Sequence, residues 1–291
     1  MARLAPLALI PAALIGAAML AACGGSATAA SHRIAERPVV FDKRLVDVGG
    51  YRLFLQCVGH GSPALVFEGG YVPTRESADY SIVMRTMARA DFTRVCSYDR
   101  AGRGRSEERR KRRVDALDLV HELHQLLHAA GIEPPYVLAG GSFGGLLVRV
   151  YRAAYPKEVS GMMLIDSQQE DDPELSLGPT WLLEGGSRLN MPRTLAEVRA
   201  AGSLGRLPLV VITAGQSATN PTWMEEQGIL ARLSTNSVHF VAKGAWHGVT
   251  DQVPRLVTEA ARELVEAARA GAALPACGPK LERLGARCLG G

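Results

Sequence analysis

The sequence predicts an α/β protein built on a mostly parallel, doubly wound sheet with flanking helices. Two observations favour this class: short apolar runs rich in valine and isoleucine recur along the chain, and segments with helical spacing of apolar residues separate them. A strand followed by a helix, repeated several times, is typical of a parallel sheet. The chain has 291 residues, 47% of them hydrophobic, and no low-complexity break, which favours one large domain.

The elements follow in a clear order along the chain. An antiparallel pair is expected at residues 46–58, because apolar and polar residues alternate there around Gly49 and Gly50. Buried strands are then predicted at residues 64–67, 93–98, 136–139, 161–165, 209–213 and 237–241. Apolar spacing predicts helices at residues 114–130, from just after Ser142 to about residue 155, and at residues 254–270.

One connection is longer than the others and suggests a separate small element. Residues 167–206 join two strands that elsewhere need about half that length, and such long excursions are often lids. We therefore expect a small cap at residues 167–206 over a core formed by residues 41–166 and 207–272. Residues 273–291 are then a C-terminal tail.

The N-terminal segment has the features of an export signal. Arg3 precedes an apolar run that is too short and too interrupted by proline to span a bilayer. The run ends in LAAC at residues 20–23, which resembles the lipobox of bacterial lipoproteins. We expect residues 1–22 to be a signal peptide, Cys23 to carry a lipid, and residues 23–40 to form a tether; the alternative is an ordinary secretory signal.

Export would place the remaining four cysteines in an oxidising compartment. Cys57, Cys96, Cys277 and Cys288 are even in number, so two disulfides are possible. Cys277 and Cys288 flank ten residues of the tail, and a bond between them would close a loop that otherwise frays.

The net charge of +4 comes largely from residues 103–113, where residues 109–113 form a dense basic run. No aromatic residues interleave this run, so we predict no nucleic-acid partner and interpret the segment as a solvated loop that could face anionic lipid head groups.

Three histidines, His121, His124 and His128, lie on one helical face. A metal site usually needs additional cysteine or carboxylate ligands, so we predict a half-buried helix surface there and no metal.

The chemistry is expected at the sequence GGSFG, residues 140–144. A predicted strand precedes it and a predicted helix follows, which is the context in which G-x-S-x-G holds a nucleophilic serine, here Ser142. The serine needs a histidine base from elsewhere in the chain. His247 lies in a loop just after the last strand, whereas His239 falls within that strand, so His247 is the predicted base.

The orienting acid and the oxyanion donors complete the predicted site. The loop after residues 209–213 contains no carboxylate, but the preceding strand ends in Asp166, at the edge where open-sheet sites gather. Asp166 is the predicted acid; Glu170, Asp171, Asp172 and Asp251 remain alternatives. The backbone N–H groups of Phe143 and Tyr71 are the predicted oxyanion donors.

Several segments together resemble the α/β-hydrolase superfamily, specifically its bacterial esterase-like and peptidase-like enzymes. They are residues 65–71, 98–106, 140–145, 164–167 and 244–254, and the pattern Y-D-R-x-G-x-G-x-S at residues 98–106 is the most specific. The resemblance implies an α/β-hydrolase fold and cofactor-free cleavage of a carboxylic ester or small amide through an acyl-enzyme. The family's strand order also implies that Cys57 lies beside Cys96, close enough for a disulfide.

Two other functions remain open. The chain could be a surface-anchored binding protein that kept the fold without activity, or it could use the same triad for cofactor-free haloperoxidase or C–C hydrolase chemistry. We expect a monomer on the extracytoplasmic side of the membrane, held by the lipid on Cys23, with secretion as the alternative.

Overall fold

The computed structural model describes residues 38–71, 79–178 and 180–289. The predicted signal peptide, the predicted lipidation site Cys23 and nearly all of the predicted tether lie outside the described residues. Within the described part of the chain, no helix has both the length and the apolar character needed to cross a membrane.

The strands are β1 (Asp42–Asp47), β2 (Arg52–Val58), β3 (Ala64–Glu68), β4 (Val95–Tyr98), β5 (Arg113–Val114), β6 (Tyr136–Gly141), β7 (Val159–Ile165), β8 (Trp181–Glu184), β9 (Ser187–Asn190), β10 (Leu209–Ala214), β11 (Ser237–Ala242) and β12 (Ala286–Cys288). The helices are α1 (Ser81–Ala90), α2 (Ala116–Ala129), α3 (Gly144–Ala154), α4 (Pro173–Ser176), α5 (Met191–Ala201), α6 (Pro221–Ala231), α7 (Val249–Gln252), α8 (Pro254–Ala270) and α9 (Pro279–Arg283).

The main sheet has nine strands in the order β1-β2-β4-β3-β6-β7-β10-β11-β12. The six strands from β4 to β11 in this order are parallel, whereas the pairings of β1 with β2, β2 with β4 and β11 with β12 at the edges are antiparallel. The prediction of a mostly parallel α/β sheet is therefore confirmed. Parallel neighbours place the carboxyl ends of β3, β6, β7 and β10 along one edge of the sheet, where the predicted site residues lie.

Helices cover both faces of this sheet. Buried side chains of α2, α3 and α5 share one hydrophobic cluster with Tyr136 and Leu138 of β6. Side chains of α1 and α8 share another cluster with Val137 and Ala139, the alternate residues of the same strand. This alternation explains why the strands are continuous apolar runs in the sequence: each buries side chains on two faces.

Two helix boundaries have visible causes. Helix α2 begins two residues later than the spacing predicts, because Asp115 acts as its N-cap and accepts a hydrogen bond from the N–H of Asp118. Helix α8 has the predicted bounds: Pro254 occupies its first position and Gly271, in the left-handed region, ends it.

The long connection at residues 167–206 is structured. It contains α4, the antiparallel pair β8 and β9, and α5. Strand β9 pairs with β5, which makes a second, three-stranded sheet, and α5 packs against α2 and α3.

Two disulfides link segments of the chain. One joins Cys57 to Cys96, which are register partners on the neighbouring strands β2 and β4, and the other joins Cys277 to Cys288 in the tail. Both expected pairings are present. Disulfides in structural positions are typical of proteins that fold in an oxidising compartment outside the cytosol.

The basic run is not wholly a solvated loop, and for two of its residues that prediction is wrong. Arg103 and Arg109 are only 3% and 2% exposed. Arg103 binds Glu184 at 2.6 Å, and Arg109 binds Glu122 at 2.6 and 2.9 Å. Their acidic partners lie outside the run, 81 residues from Arg103 and 13 residues from Arg109, so the run by itself could not reveal that the fold buries and pairs these two guanidinium groups.

Candidate active site

Ser142 sits at the turn where β6 ends and α3 begins. Its φ of +51° lies in the left-handed region, which L-residues rarely adopt. The flanking glycines allow this turn: a Cβ on Gly140 would lie 2.5 Å from the carbonyl oxygen of Gly144, and a Cβ on Gly144 would collide with the carbonyl oxygen of Glu68. The sequence G-x-S-x-G is therefore required here by close backbone packing, which presents Ser142 at the carboxyl edge of the sheet.

His247 and Asp166 meet at the same edge. Nδ1 of His247 lies 2.7 Å from Oδ2 of Asp166, and the side chain of Asp166 is fully buried. Three further donors fix the carboxylate: the N–H of Ala214 at 2.9 Å, the hydroxyl of Ser217 at 2.7 Å and Nε1 of Trp223 at 2.9 Å. Asp166 also has a positive φ of +44°, so its backbone is held in an uncommon conformation.

The electrostatics of this pair favour an ionised acid and a basic imidazole. Burial by itself raises the pKa of Asp166, but the hydrogen bonds from His247, Ser217, Ala214 and Trp223 together hold that pKa below its usual range. The hydrogen bond to Asp166 raises the pKa of His247 despite its partial burial. An Nδ1–H directed at Asp166 leaves Nε2 as the proton acceptor.

The loop after β3 lies beside the nucleophile. A Cβ on Gly70 would be 3.2 Å from Cβ of Ser142, so a larger residue there would require Ser142 to shift by a few tenths of an ångström. The guanidinium of Arg100 donates to the carbonyl oxygens of Gly69 at 2.6 Å and Gly70 at 2.7 Å. These two bonds fix the orientation of the peptide units that lead into Tyr71.

The two predicted oxyanion residues lie next to each other. Phe143 is buried and immediately precedes α3, where helix N–H groups have no intrahelical partner. The ring of Tyr71 meets the ring of Phe143 edge-on, with 6.3 Å between centroids. The geometry thus brings both residues to the Ser142 turn.

Arg100 is the centre of a buried ionic network. Its guanidinium binds Glu68 at 2.5 Å and Glu184 at 2.9 Å. Glu68 also accepts from the hydroxyl of Tyr98 at 2.6 Å, and Glu184 is shared with Arg103. The network joins residues 98–106, the loop beside Ser142 and the β8–β9 hairpin, so the segment at residues 167–206 is tied to the site by charge pairs that are costly to separate.

The other predicted candidates lie elsewhere. His239 is bonded through Nε2 to the Thr213 hydroxyl at 2.8 Å, and burial lowers its pKa to about 4. Glu170 binds Arg149 at 2.5 and 2.7 Å, and Asp171 binds Arg199 at 2.8 Å. Among the residues that the structure describes, Asp166 is the carboxylate in hydrogen-bond contact with His247; Asp172 and Asp251 make no such bond.

The strand–serine–helix turn and the nine-stranded sheet match a known family. The sequence model of the α/β hydrolase fold family matches residues 61–225. This chain is an α/β hydrolase. Among curated relatives, the uncharacterized protein YqjL of Bacillus subtilis (strain 168) is 28% identical over 213 residues, which cover 68% of this chain and 82% of YqjL.

Solved structures share the fold of this α/β hydrolase. Est1E from Butyrivibrio proteoclasticus, solved with ferulic acid bound, superposes with a TM-score of 0.61 at 15% identity, over 78% of this chain and 99% of Est1E. The CarC enzyme, a serine hydrolase involved in carbazole degradation, gives a TM-score of 0.58 at 15% identity, over 78% of this chain and 99% of CarC.

Sequence reasoning about this α/β hydrolase missed the residues that hold Asp166 in place. Trp223 and Ser217 hold Asp166, yet they follow it by more than fifty residues and no local pattern marks them. The one available signal is Asn220, whose side chain caps α6 and accepts from the N–H of Trp223. Arg100 lies within the most specific family segment, but its contact with Gly69 and Gly70 became visible only in three dimensions.

Proposed function

We propose that this α/β hydrolase cleaves carboxylic esters, and small amides more slowly, through an acyl-enzyme on Ser142. The observation that carries the proposal is the fully buried Asp166 carboxylate at 2.7 Å from Nδ1 of His247, at the sheet edge that also holds the Ser142 turn. The CarC enzyme, which has the same fold, is a serine hydrolase, in keeping with this chemistry.

In the first half-reaction Ser142 attacks the ester carbonyl. Nε2 of His247 takes the proton from the serine hydroxyl as Oγ bonds to the carbonyl carbon. Asp166 holds the imidazole in the required tautomer and stabilises the imidazolium that forms. Collapse of the tetrahedral intermediate breaks the bond to the alcohol oxygen, which leaves with the proton from His247.

Negative charge on the carbonyl oxygen is stabilised by the backbone. The N–H groups of Phe143 and Tyr71 receive the oxyanion, and Arg100 keeps the peptide units before Tyr71 in place through the Gly69 and Gly70 carbonyl oxygens. In the second half-reaction His247 takes a proton from water as the water oxygen bonds to the acyl carbon. The bond from that carbon to Oγ of Ser142 then breaks, Oγ takes the proton back from His247, and the acid is released. Esters react faster than amides because resonance with nitrogen makes the amide carbonyl carbon less electrophilic, and the amide nitrogen must be protonated before it can leave.

A fluorophosphonate probe tests the nucleophile directly. The wild type should be labelled at a single serine, with the modified peptide containing Ser142, and Ser142→Ala should abolish labelling. Ser160→Ala is the matched control. Ser160 lies at the amino end of β7, where its hydroxyl donates to the Tyr136 carbonyl oxygen, so its loss should not affect labelling. A wild type that does not react would favour the binding-protein alternative, and labelling that survives Ser142→Ala would exclude Ser142.

The proposed cellular site is the extracytoplasmic face of a membrane. The two disulfides indicate an oxidising environment, and a lipid on Cys23 would anchor the enzyme there through the segment before the core. Cys23→Ser in the native host should move the protein from the membrane fraction to the soluble extract. Retention of Cys23→Ser in the membrane fraction would rule out the lipid anchor.

A further inference from the structure

A cluster of two imidazoles and one carboxylate lies outside the active site. His124 and His128 occupy successive turns of α2, and Glu158 directly precedes β7. Nε2 of His124 and Nε2 of His128 each lie 3.2 Å from Oε1 of Glu158, and the three ligand atoms are all within 4.8 Å of one another. The sequence placed the histidines together on one helical face; the fold adds the carboxylate that a metal site needs.

We infer that His124, His128 and Glu158 form a binding site for a divalent transition metal, with zinc as the ion they suit best. Zinc is bound by imidazole nitrogen and carboxylate oxygen at about 2.0–2.2 Å in a tetrahedral arrangement, which places ligand atoms roughly 3.3 Å apart. The observed separations of 3.2 Å from Oε1 to each nitrogen agree with that spacing.

The cluster is built to hold its shape. The hydroxyl of Tyr151 donates to Oε2 of Glu158 at 2.8 Å, which leaves Oε1 to face the two histidines. The backbone of Glu158 is also tied on both sides: its N–H donates to the Tyr155 carbonyl oxygen and its own carbonyl oxygen accepts from the N–H of Tyr136. A hydrogen bond to the oxygen that does not bind the metal orients the carboxylate and strengthens a metal site.

The rings of the two histidines are also positioned. The His124 ring stacks on Tyr155, with 3.8 Å between centroids and 6° between planes. The centroids of His124 and His128 are only 4.3 Å apart, so two protonated imidazoles would repel each other at this distance. One divalent ion bound by two neutral imidazoles and a carboxylate satisfies all three groups without that repulsion.

Partial exposure gives the ion access and an open position. The side chains of His124, His128 and Glu158 are 26%, 46% and 17% exposed. Three protein ligands leave a fourth position for water or another donor. The site joins α2 to the segment between α3 and β7, and it lies at the amino end of β7, whereas the triad acid follows the carboxyl end of that strand.

Zinc titration by calorimetry tests the site in the full chain with Cys23→Ser, which removes the one cysteine outside the disulfides. The expected result is one high-affinity ion per chain after treatment with chelator. His128→Ala, His124→Ala and Glu158→Gln should each weaken zinc binding at least about tenfold, because each removes a ligand. His60→Ala is the control: its side chain is 81% exposed on a different loop and its loss should leave the zinc affinity unchanged.

Tyr151→Phe gives a graded second measurement. It keeps the buried ring and removes the hydroxyl that orients Glu158, so zinc affinity should fall by about tenfold or more while the fold is retained. Circular dichroism of each variant checks folding independently. Absence of zinc binding by the wild type, or equal affinity in the wild type and in folded His128→Ala, would overturn the assignment.

Discussion

Two carboxylates flank the same strand and serve different arrangements of histidine. Glu158 directly precedes β7 and receives Nε2 of two histidines, both at 3.2 Å from one oxygen. Asp166 directly follows β7 and receives Nδ1 of a single histidine at 2.7 Å. The Asp166 side chain is fully buried and held by three other donors, whereas the Glu158 side chain is 17% exposed and held by one tyrosine.

The difference shows what each geometry can do. At the carboxyl end of β7 the acid takes up one ring nitrogen of His247 and leaves the other to move a proton, as acyl transfer requires. At the amino end, Nε2 of His124 and Nε2 of His128 both lie near Oε1 of Glu158, so neither Nε2 atom is free to accept a proton from a substrate. We propose that a metal cation binds there. The same residue types are therefore proposed to supply a base at one end of β7 and a metal site at the other.

Asp166→Asn should have the largest effect. The asparagine keeps the shape but favours the wrong imidazole tautomer, so kcat for p-nitrophenyl acetate should fall by about 10⁴-fold. Asp171→Asn is the matched control, because Asp171 is on the surface and binds Arg199 instead. A loss in Glu158→Gln as large as that in Asp166→Asn would contradict the division of roles between the two ends of β7.

The pH profile should report His247. Its pKa is raised by the bond to Asp166, so the neutral, basic form is lost at a higher pH than for a free imidazole. We expect kcat/KM to fall about tenfold per pH unit below a midpoint above about 6.5, and Asp166→Asn to move that midpoint to lower pH. His239→Gln should leave the midpoint in place, because burial already lowers the pKa of His239 to about 4. A midpoint of the kcat/KM profile that shifts in His239→Gln would contradict the assignment of His247 as the base.

Trp223→Phe should have a smaller effect on the same acid. It removes the 2.9 Å bond from Nε1 to Asp166 and leaves the other three donors in place. One hydrogen bond to a charged group contributes about 1.5–3 kcal/mol, so kcat should fall by roughly tenfold or more with little change in KM. Steady-state kinetics distinguish this from a binding defect, which would raise KM at constant kcat.

His128→Ala should have the smallest effect when no metal is bound. Its side chain is nearly half exposed, and partly exposed pairs contribute about 0–1 kcal/mol, so the free energy of unfolding in chelator should change by less than about 1 kcal/mol. Urea denaturation with and without zinc measures the change. Equal destabilisation in both conditions would show that His128 acts through packing alone.

The sequence by itself predicted the strands of the sheet and the turn that holds Ser142. Continuous apolar runs predicted the buried strands, and G-x-S-x-G between a strand and a helix predicted the turn at Ser142, because both signals lie within a few residues of sequence. The acid was predicted at Asp166 from the absence of a carboxylate after the strand at residues 209–213, and the contact with His247 agrees with that expectation.

Only the tertiary structure decided which charges meet. The sequence predicted that Arg103 and Arg109 lie in a solvated loop, yet the fold pairs them with Glu184 and Glu122. No sequence pattern identified Glu158 as the partner of His124 and His128, because it lies thirty residues or more from them. Local patterns fix elements and turns, whereas burial and pairing of polar groups depend on contacts between distant segments, which exist only once the chain has folded.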